Sequence, residues 1–188
     1  MNVETNKRQT KTETGRMENI LIVDEDDKIL GTKEKLYVHR EGILHRAFSA
    51  LLINEDGKLL IQRRAFEKYH SGGLYSNSFC SHFYEDEDTM DAIKRAAENE
   101  LGMDVDNYEN IGTVKYFADL GEMSENEIDR IFLIRYKNQN INLNPSEVSE
   151  YTWMGVDECR DKIKREPENF TEWFKIIMDT PEIIEKMR

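Results

Sequence analysis

Glu87-Asp88-Thr89-Met90-Asp91-Ala92-Ile93-Lys94-Arg95-Ala96-Ala97-Glu98-Asn99-Glu100-Leu101-Gly102 decides how the rest of this chain is read. Asp88-Thr89 offers an N-cap, because a short oxygen-bearing side chain accepts from the free N–H groups of a first helical turn. Ala92, Ile93, Ala96, Ala97 and Leu101 recur at helical spacing and form one apolar stripe. Gly102 closes it, since glycine takes the left-handed conformation at a helix end without steric penalty. The spacing predicts one well-bounded helix with a single face to bury.

Strand signals surround it. Ile20-Leu21-Ile22-Val23 stops at the acidic turn Asp24-Glu25-Asp26-Asp27, with Lys28-Ile29-Leu30-Gly31 as its hairpin mate. Ala47 to Ile53 and Lys58 to Gln62 flank Asn54-Glu55-Asp56-Gly57, whose Asp-Gly step predicts a second hairpin. Ser71-Gly72-Gly73 marks a loop. Thr113 to Ala118 and Glu127 to Tyr136 read as strands, the second with Ile128, Phe132, Ile134 and Tyr136 on one face and Glu125, Glu127 and Asp129 on the other. A last strand is expected over Glu147 to Trp153, and helices over Val156 to Arg165 and Asn169 to Met187, the latter interrupted at Pro181. Strands and helices interleave without strict alternation, which predicts an α/β (α+β) fold built on a mixed sheet flanked by helices.

With 188 residues the chain is long enough for one domain with a substantial core and no structural metal. Residues 1–16 hold Val3 as their one aliphatic residue beyond the initiating Met and are expected to be a disordered tail, leaving a single domain over 17–188. The net charge of −12 argues against nucleic acid or an anionic membrane as partner. Two cysteines, Cys80 and Cys159, with no CxxC pair fit a reducing cytoplasmic setting, so Cys80 is expected as a free thiol. No apolar run is long enough for a membrane span.

Chemistry concentrates in two segments. Asn77-Ser78-Phe79-Cys80-Ser81-His82 places a thiol two residues from an imidazole, and Ser124-Glu125-Asn126-Glu127-Ile128 places two carboxylates two apart. In an extended chain that spacing puts each pair on one face, roughly 7 Å apart along the strand. Two carboxylates at about 4 Å repel by ~4 kcal/mol at an effective dielectric near 20, so when buried they call for a cation. His39, His45 and His82, three of the four histidines, fall just before or inside this region. With Glu125 and Glu127 they make an N/O set suited to Zn²⁺, Mn²⁺ or Mg²⁺, which leaves Cys80 as a reactive group rather than a ligand. Lys35 and the basic run Arg63-Arg64-Ala65-Phe66-Glu67-Lys68 read either as a solvated strand end or as a phosphate clamp.

Glu87, Arg95, Glu100 and Gly102 resemble the Nudix box, GX5EX7REUXEEXGU with U aliphatic, although Ser81 stands at its first Gly and Ala96 and Asn99 at two of its Glu. Further ordered motifs make the chain similar to type I isopentenyl diphosphate isomerases from about Ile20 to Asp179. They are Glu34-Lys35 and His39 ahead of Leu44-His45-Arg46-Ala47-Phe48-Ser49, Gln62-Arg63-Arg64-Ala65, Tyr69-His70-Ser71-Gly72-Gly73-Leu74, Asn77 to His82, Glu125-Asn126-Glu127 and Trp173-Phe174-Lys175-Ile176-Ile177.

The resemblance implies a Nudix-type fold and interconversion of isopentenyl and dimethylallyl diphosphate through a tertiary carbocation. It implies one divalent metal on His39, His45, His82, Glu125 and Glu127, and Mg²⁺ held by Glu100 with the substrate diphosphate. Lys35, Arg64 and Lys68 would contact that diphosphate. Cys80 and Glu127 would move protons on opposite sides of the isoprenoid, Tyr116 would assist protonation, and Trp173 would face the cation. A monomer or weak dimer is expected. Ala96 replaces a second basic residue usual in the family, Phe83 replaces a proline after Cys-x-His, and Tyr75-Ser76-Asn77 replaces Trp-Thr-Asn. A Nudix hydrolase would be expected to carry the full set of box glutamates. A binding protein of the same fold would be under no demand to keep Cys80, Glu127 and Trp173 together.

Overall fold

Hydrogen bonding along the chain joins β1 (Asn19–Val23) to β2 (Ile29–Glu34) as an antiparallel hairpin across the acidic turn. The elements that follow are α1 (Lys35–Glu41), β3 (His45–Ile53), β4 (Lys58–Arg64), β5 (Tyr75–Ser76), β6 (Phe79–His82) and α2 (Thr89–Leu101). Then come β7 (Glu109–Asp119), β8 (Ser124–Arg135), β9 (Val148–Gly155), α3 (Val156–Arg165), α4 (Glu172–Asp179) and α5 (Pro181–Met187). This computed structural model describes residues 18–188, so the tail expected over 1–16, and Met17, lie outside the described residues. The nine strands share one mixed sheet.

The helix read first forms as its sequence dictates. Asp88 Oδ1 accepts from the Asp91 N–H at 2.9 Å, and Ala92, Ile93, Ala96, Ala97 and Leu101 are buried. Gly102 ends α2 at φ +57°, where a Cβ would stand 2.4 Å from the Asn142 carbonyl oxygen, so glycine is required twice over. α3 spans the expected residues, and the helix expected beyond it divides into α4 and α5 with Pro181 opening the second.

β3 is buried along its whole length because it lies between two cores. Phe48, Ala50 and Leu52 share one with Phe132 of β8 and the apolar stripe of α2. Leu51 and Ile53 share the other with Ile131 and Leu133 of β8 and with Trp173, Phe174 and Ile177 of α4.

The expected ladder between β3 and β4 does not form. The turn closes, yet the two strands pair only at Ile53 and Leu59. A strand has two hydrogen-bonding edges, and both edges of β3 are taken. β8 runs parallel along one of them, from His45 opposite Glu127 to Ile53 opposite Arg135. The other is shared by β1 at His45 and by β6 from Ala47 to Ala50. β4 is therefore forced away and pairs with β9 instead.

Ser78 stitches the split. Its Oγ accepts from the Leu52 N–H at 2.7 Å and donates to the Leu60 carbonyl at 2.7 Å. Ser78→Ala leaves two buried backbone groups unpaired, at about 1–3 kcal/mol each, so a loss of about 3 kcal/mol is expected. A fall in the urea midpoint at unchanged m-value checks this, and a shift under 0.5 kcal/mol contradicts it.

α1 has no periodic signature in the sequence, since its seven residues are too few to show one. The Glu34 side chain caps it by accepting from the N–H groups of Leu36 at 3.0 Å and Tyr37 at 2.7 Å. The helix sets Lys35 and His39 one turn apart on a common face. It ends at Gly42 with φ +61°.

Candidate functional site

Strand alternation gathers the polar residues on one face of the sheet. His45 begins β3, Cys80 and His82 lie two apart on β6, and Glu125, Glu127 and Asp129 alternate along β8. On β7, Tyr116 is the register partner of Glu127. This is the face that becomes the α4 core farther along β3 and β8, so the site is the polar end of an apolar layer. His39 on α1 completes the group from outside the sheet.

His39, His45, His82, Glu125 and Glu127 each bring a ligand atom to a set whose members all lie within 4.8 Å of one another. Ligands at 2.0–2.2 Å on opposite sides of one ion stand about 4.2 Å apart, so this spread is near that of a bound shell. Nδ1 of His39 lies 2.6 Å from the Lys35 carbonyl and Nδ1 of His45 lies 2.8 Å from the Ile43 carbonyl. A carbonyl only accepts, so Nδ1 carries the proton and Nε2 presents a lone pair, the orientation a metal-binding imidazole needs. Those lone pairs face carboxylates: His39 Nε2 lies 3.2 Å from Glu125 Oε2, and His45 and His82 Nε2 each lie 3.1 Å from Glu127 Oε1. His39 Nε2 and Glu125 Oε2 are both buried without a hydrogen-bond partner among the described residues, despite their closeness. Two electron-rich atoms so placed fit a cation between them, and the donor set fits a divalent ion of borderline or hard character.

Burial lowers His39, but the adjacent Glu125 outweighs it and raises His39 above the ordinary imidazole value, as follows when a buried carboxylate faces an imidazole with no cation between them. Burial pulls His82 well below the ordinary imidazole range, against the opposing pull of Glu127, and keeps it neutral for ligation. Burial pushes Glu127 up, but the facing imidazoles of His45 and His82 outweigh that and hold it well below the carboxylate range. The Tyr116 hydroxyl donates to Glu127 Oε2. Burial and the nearby Glu127 push Tyr116 well above the usual phenol range. Burial also raises the Cys80 thiol, with Glu100 adding to the effect, so Cys80 holds its proton at neutral pH. Trp173 closes the pocket from α4, its Nε1–H donating to Ser76 Oγ at 3.0 Å and Asn77 Oδ1 at 3.1 Å. The indole is fixed by its edge, which leaves its faces for other contacts.

Lys35, Arg64, Lys68 and Glu100 line the same pocket. The Arg64 guanidinium stands 5.3 Å from the Trp173 ring centre, and its Nε is buried without a partner among the described residues. Lys35 pairs with Glu18 at 3.1 Å and Lys68 with Glu147. Glu100 Oε2 accepts from Gln62 Nε2 at 2.7 Å, and burial raises its carboxyl to about 7. Arg95 grips Glu87 through Nε at 2.6 Å and Nη2 at 2.8 Å, while Nη2 also reaches the His82 carbonyl at 2.8 Å. Two of the matched box residues thus brace the strand end that carries His82.

A NUDIX domain model matches residues 43–174. An isopentenyl-diphosphate Delta-isomerase of Serratia proteamaculans is 36% identical over 162 residues, covering 86% of this chain and 89% of the relative. One from Pectobacterium atrosepticum is 37% identical over 158 residues, covering 84% and 87%. The chain belongs to the isopentenyl-diphosphate Delta-isomerases of the Nudix family. The fold is also that of the Deinococcus radiodurans protein DR0079, whose crystal structure matches with a TM-score of 0.71 at 19% identity, covering 86% of this chain and 97% of that one. Among the described residues no helix is long and apolar enough to cross a membrane.

The sequence does not disclose everything this isomerase pocket contains. His70 stands beside the three predicted histidines, its Nε2 3.0 Å from Glu125 Oε1, although it is not one of the mutually close donor atoms. In sequence it lies between His45 and His82, two residues after Lys68, and that position is the available signal. Glu18 and Glu147, the ion-pair partners of the two lysines, come from distant segments and carry no local mark. Asp129 is buried against Ser49, whose hydroxyl donates to it at 2.8 Å.

Proposed function

We propose that this enzyme interconverts isopentenyl and dimethylallyl diphosphate, with Cys80, Glu127, Tyr116 and Trp173 as the groups that meet the isoprenoid. The supporting observation is one pocket that combines a protonated thiol, a tyrosine–carboxylate pair and an indole with three cations beside them. Lys35, Arg64 and Lys68 bind the diphosphate, the lysines exchanging Glu18 and Glu147 for phosphate oxygens. Arg64 presents an unpartnered Nε for the purpose. Cys80 and Glu127 sit on β6 and β8, strands on opposite edges of β3. One of these walls passes a proton to the terminal alkene carbon, and the other takes one from the methylene next to the resulting cation. Tyr116 shares its proton with Glu127 and extends that wall toward the substrate. The tertiary carbocation between the two steps needs exclusion of water and a ring face, which Trp173 supplies.

The five-residue centre suits Zn²⁺, Mn²⁺ or Mg²⁺, and Glu100 would hold Mg²⁺ together with the diphosphate. Bound there, such cations supply positive charge that keeps Glu127 ionised and neutralises phosphate. Hydrolysis is the weaker reading. Ala96 and Asn99 stand where two box glutamates belong, and of the carboxylates on α2 only Glu100 lines the pocket. Incubating the protein with isopentenyl diphosphate and Mg²⁺ distinguishes the two. Dimethylallyl diphosphate should accumulate with the diphosphate intact, and release of inorganic phosphate in its place would establish hydrolysis.

Glu100 gives a pH prediction. Its folded value of about 7 exceeds the unfolded value of about 4.5, so between them the native state keeps a proton the unfolded chain has lost. Stability of the metal-free protein falls as pH rises through that window, by about 1.4 kcal/mol per unit and about 3 kcal/mol in all. Glu100→Gln lacks this loss. In the presence of a chelator it should match wild type near pH 4.5 and exceed it by about 3 kcal/mol at pH 8, while losing Mg²⁺-dependent turnover. Equal denaturation midpoints at pH 8 would show that the carboxyl is not perturbed.

A further inference from the structure

His70 is the imidazole that no metal or proton-transfer role accounts for, and its surroundings are tightly built. It sits on the loop from β4 to β5, where the Gly73 N–H reaches the Arg64 carbonyl at 3.2 Å and Arg63 Nε reaches the Gly73 carbonyl at 2.8 Å. A Cβ on Gly72 would stand 2.5 Å from the Phe66 carbonyl oxygen, so the loop folds closely onto its own backbone. His70 is thereby aimed inward, its ring edge-to-face with Tyr69 at 4.5 Å and with Trp173 at 6.0 Å.

Its Nε2 lies 3.0 Å from Glu125 Oε1 and its Nδ1 lies 3.3 Å from Ser71 Oγ. A carboxylate oxygen only accepts, so Nε2 is the donor and Nδ1 accepts from the Ser71 hydroxyl. Glu125 then has one oxygen occupied, while Oε2 stays bare beside His39 Nε2 at 3.2 Å and His45 Nε2 at 3.9 Å. Without the restraint on Oε1, the carboxylate could rotate, offer both oxygens to one ion, and crowd a shell already supplied by five residues. We propose that His70 is a positioning residue of the metal centre, fixing Glu125 so that Oε2 alone faces the ligand set. The inference rests on the reading of His39, His45, His82, Glu125 and Glu127 as that centre. It applies to Glu125 the restraint that the Lys35 and Ile43 carbonyls apply to His39 and His45. His70 is not itself a ligand, because it falls outside the group of mutually close donor atoms.

The test uses Co²⁺ as the probe on the full chain, with affinity read by chelator competition and geometry by visible absorption. His70→Phe keeps a ring against Trp173 and Tyr69 but has no donor, whereas His70→Gln places an amide N–H near the position of Nε2. Loss of such an outer hydrogen bond weakens metal binding about 10–100-fold. That weakening and an altered Co²⁺ spectrum are expected in His70→Phe, with both restored in His70→Gln and the thermal midpoints of the chelated proteins equal. Unchanged affinity and spectrum in His70→Phe overturn the proposal, as does equal weakening in both variants. If wild type and His82→Ala bind Co²⁺ equally weakly, the five-residue centre itself fails and takes this inference with it, a result unlike any expected from position 70 alone.

Discussion

Cys80→Ala is expected to lower turnover by about 10⁴-fold or more while leaving both fold and metal content in place. A positioned acid–base group is usually worth about 10²–10⁴-fold, and alkene protonation has no easy solvent bypass once water is excluded, so the upper end applies. Packing does not confound the change. Cys80 is only partly buried at the pocket wall, and truncation to alanine removes a single sulfur atom. Glu127→Gln should be as inactive for a compound reason. It loses a proton carrier and one of two acceptor oxygens, so a single amide oxygen must serve either Tyr116 or the side facing His45 and His82. Metal analysis separates the two variants, with content kept in Cys80→Ala and reduced in Glu127→Gln. Turnover within tenfold of wild type in Cys80→Ala would remove the thiol from the chemistry.

What the sequence revealed and what it hid divide along chain distance. α2 was readable to its ends because Asp88, the apolar stripe and Gly102 are all local signals. The alternation of Glu125, Glu127 and Asp129 was readable for the same reason, and it assigned the carboxylates to one face before any partner was known. The pairing of β3 with β8 was not, since a parallel contact across eighty residues leaves no mark in either segment. That pairing is what brings His45 beside Glu127, and it also denies β4 the ladder its Asp-Gly turn promised. α1 escaped because it is short. His70 escaped because its role depends on a loop folding back through positive φ at Ser71 and Gly73. Local chemistry was thus visible, and the long-range contacts that aim it were not.

Stripping the divalent ion should cost stability as well as activity. Glu125, Glu127 and Asp129 are buried along one strand face, at 3%, 5% and 1% exposure, and the lysines nearby are engaged by other carboxylates. With no cation, burial and the charge of Glu127 push Asp129 well above the carboxylate range, and Glu125 Oε2 faces a lone pair on His39. An ion that binds only the folded state at a thousand times its Kd adds about 4 kcal/mol. In a chain of this size each kcal/mol moves the thermal midpoint by about 2–4 °C. Chelation should therefore lower the midpoint by on the order of 10 °C and abolish turnover, with both restored by one equivalent of ion. His39→Ala should reproduce the loss of turnover and respond little to chelator, because the site it helps to form is already weakened. Its own midpoint should fall less than its metal content, since removing His39 also relieves the contact with Glu125 Oε2. A chelated wild type that keeps its midpoint would mean that these carboxylates are balanced by protons alone, and the five residues would then have to be read as a proton-sharing network.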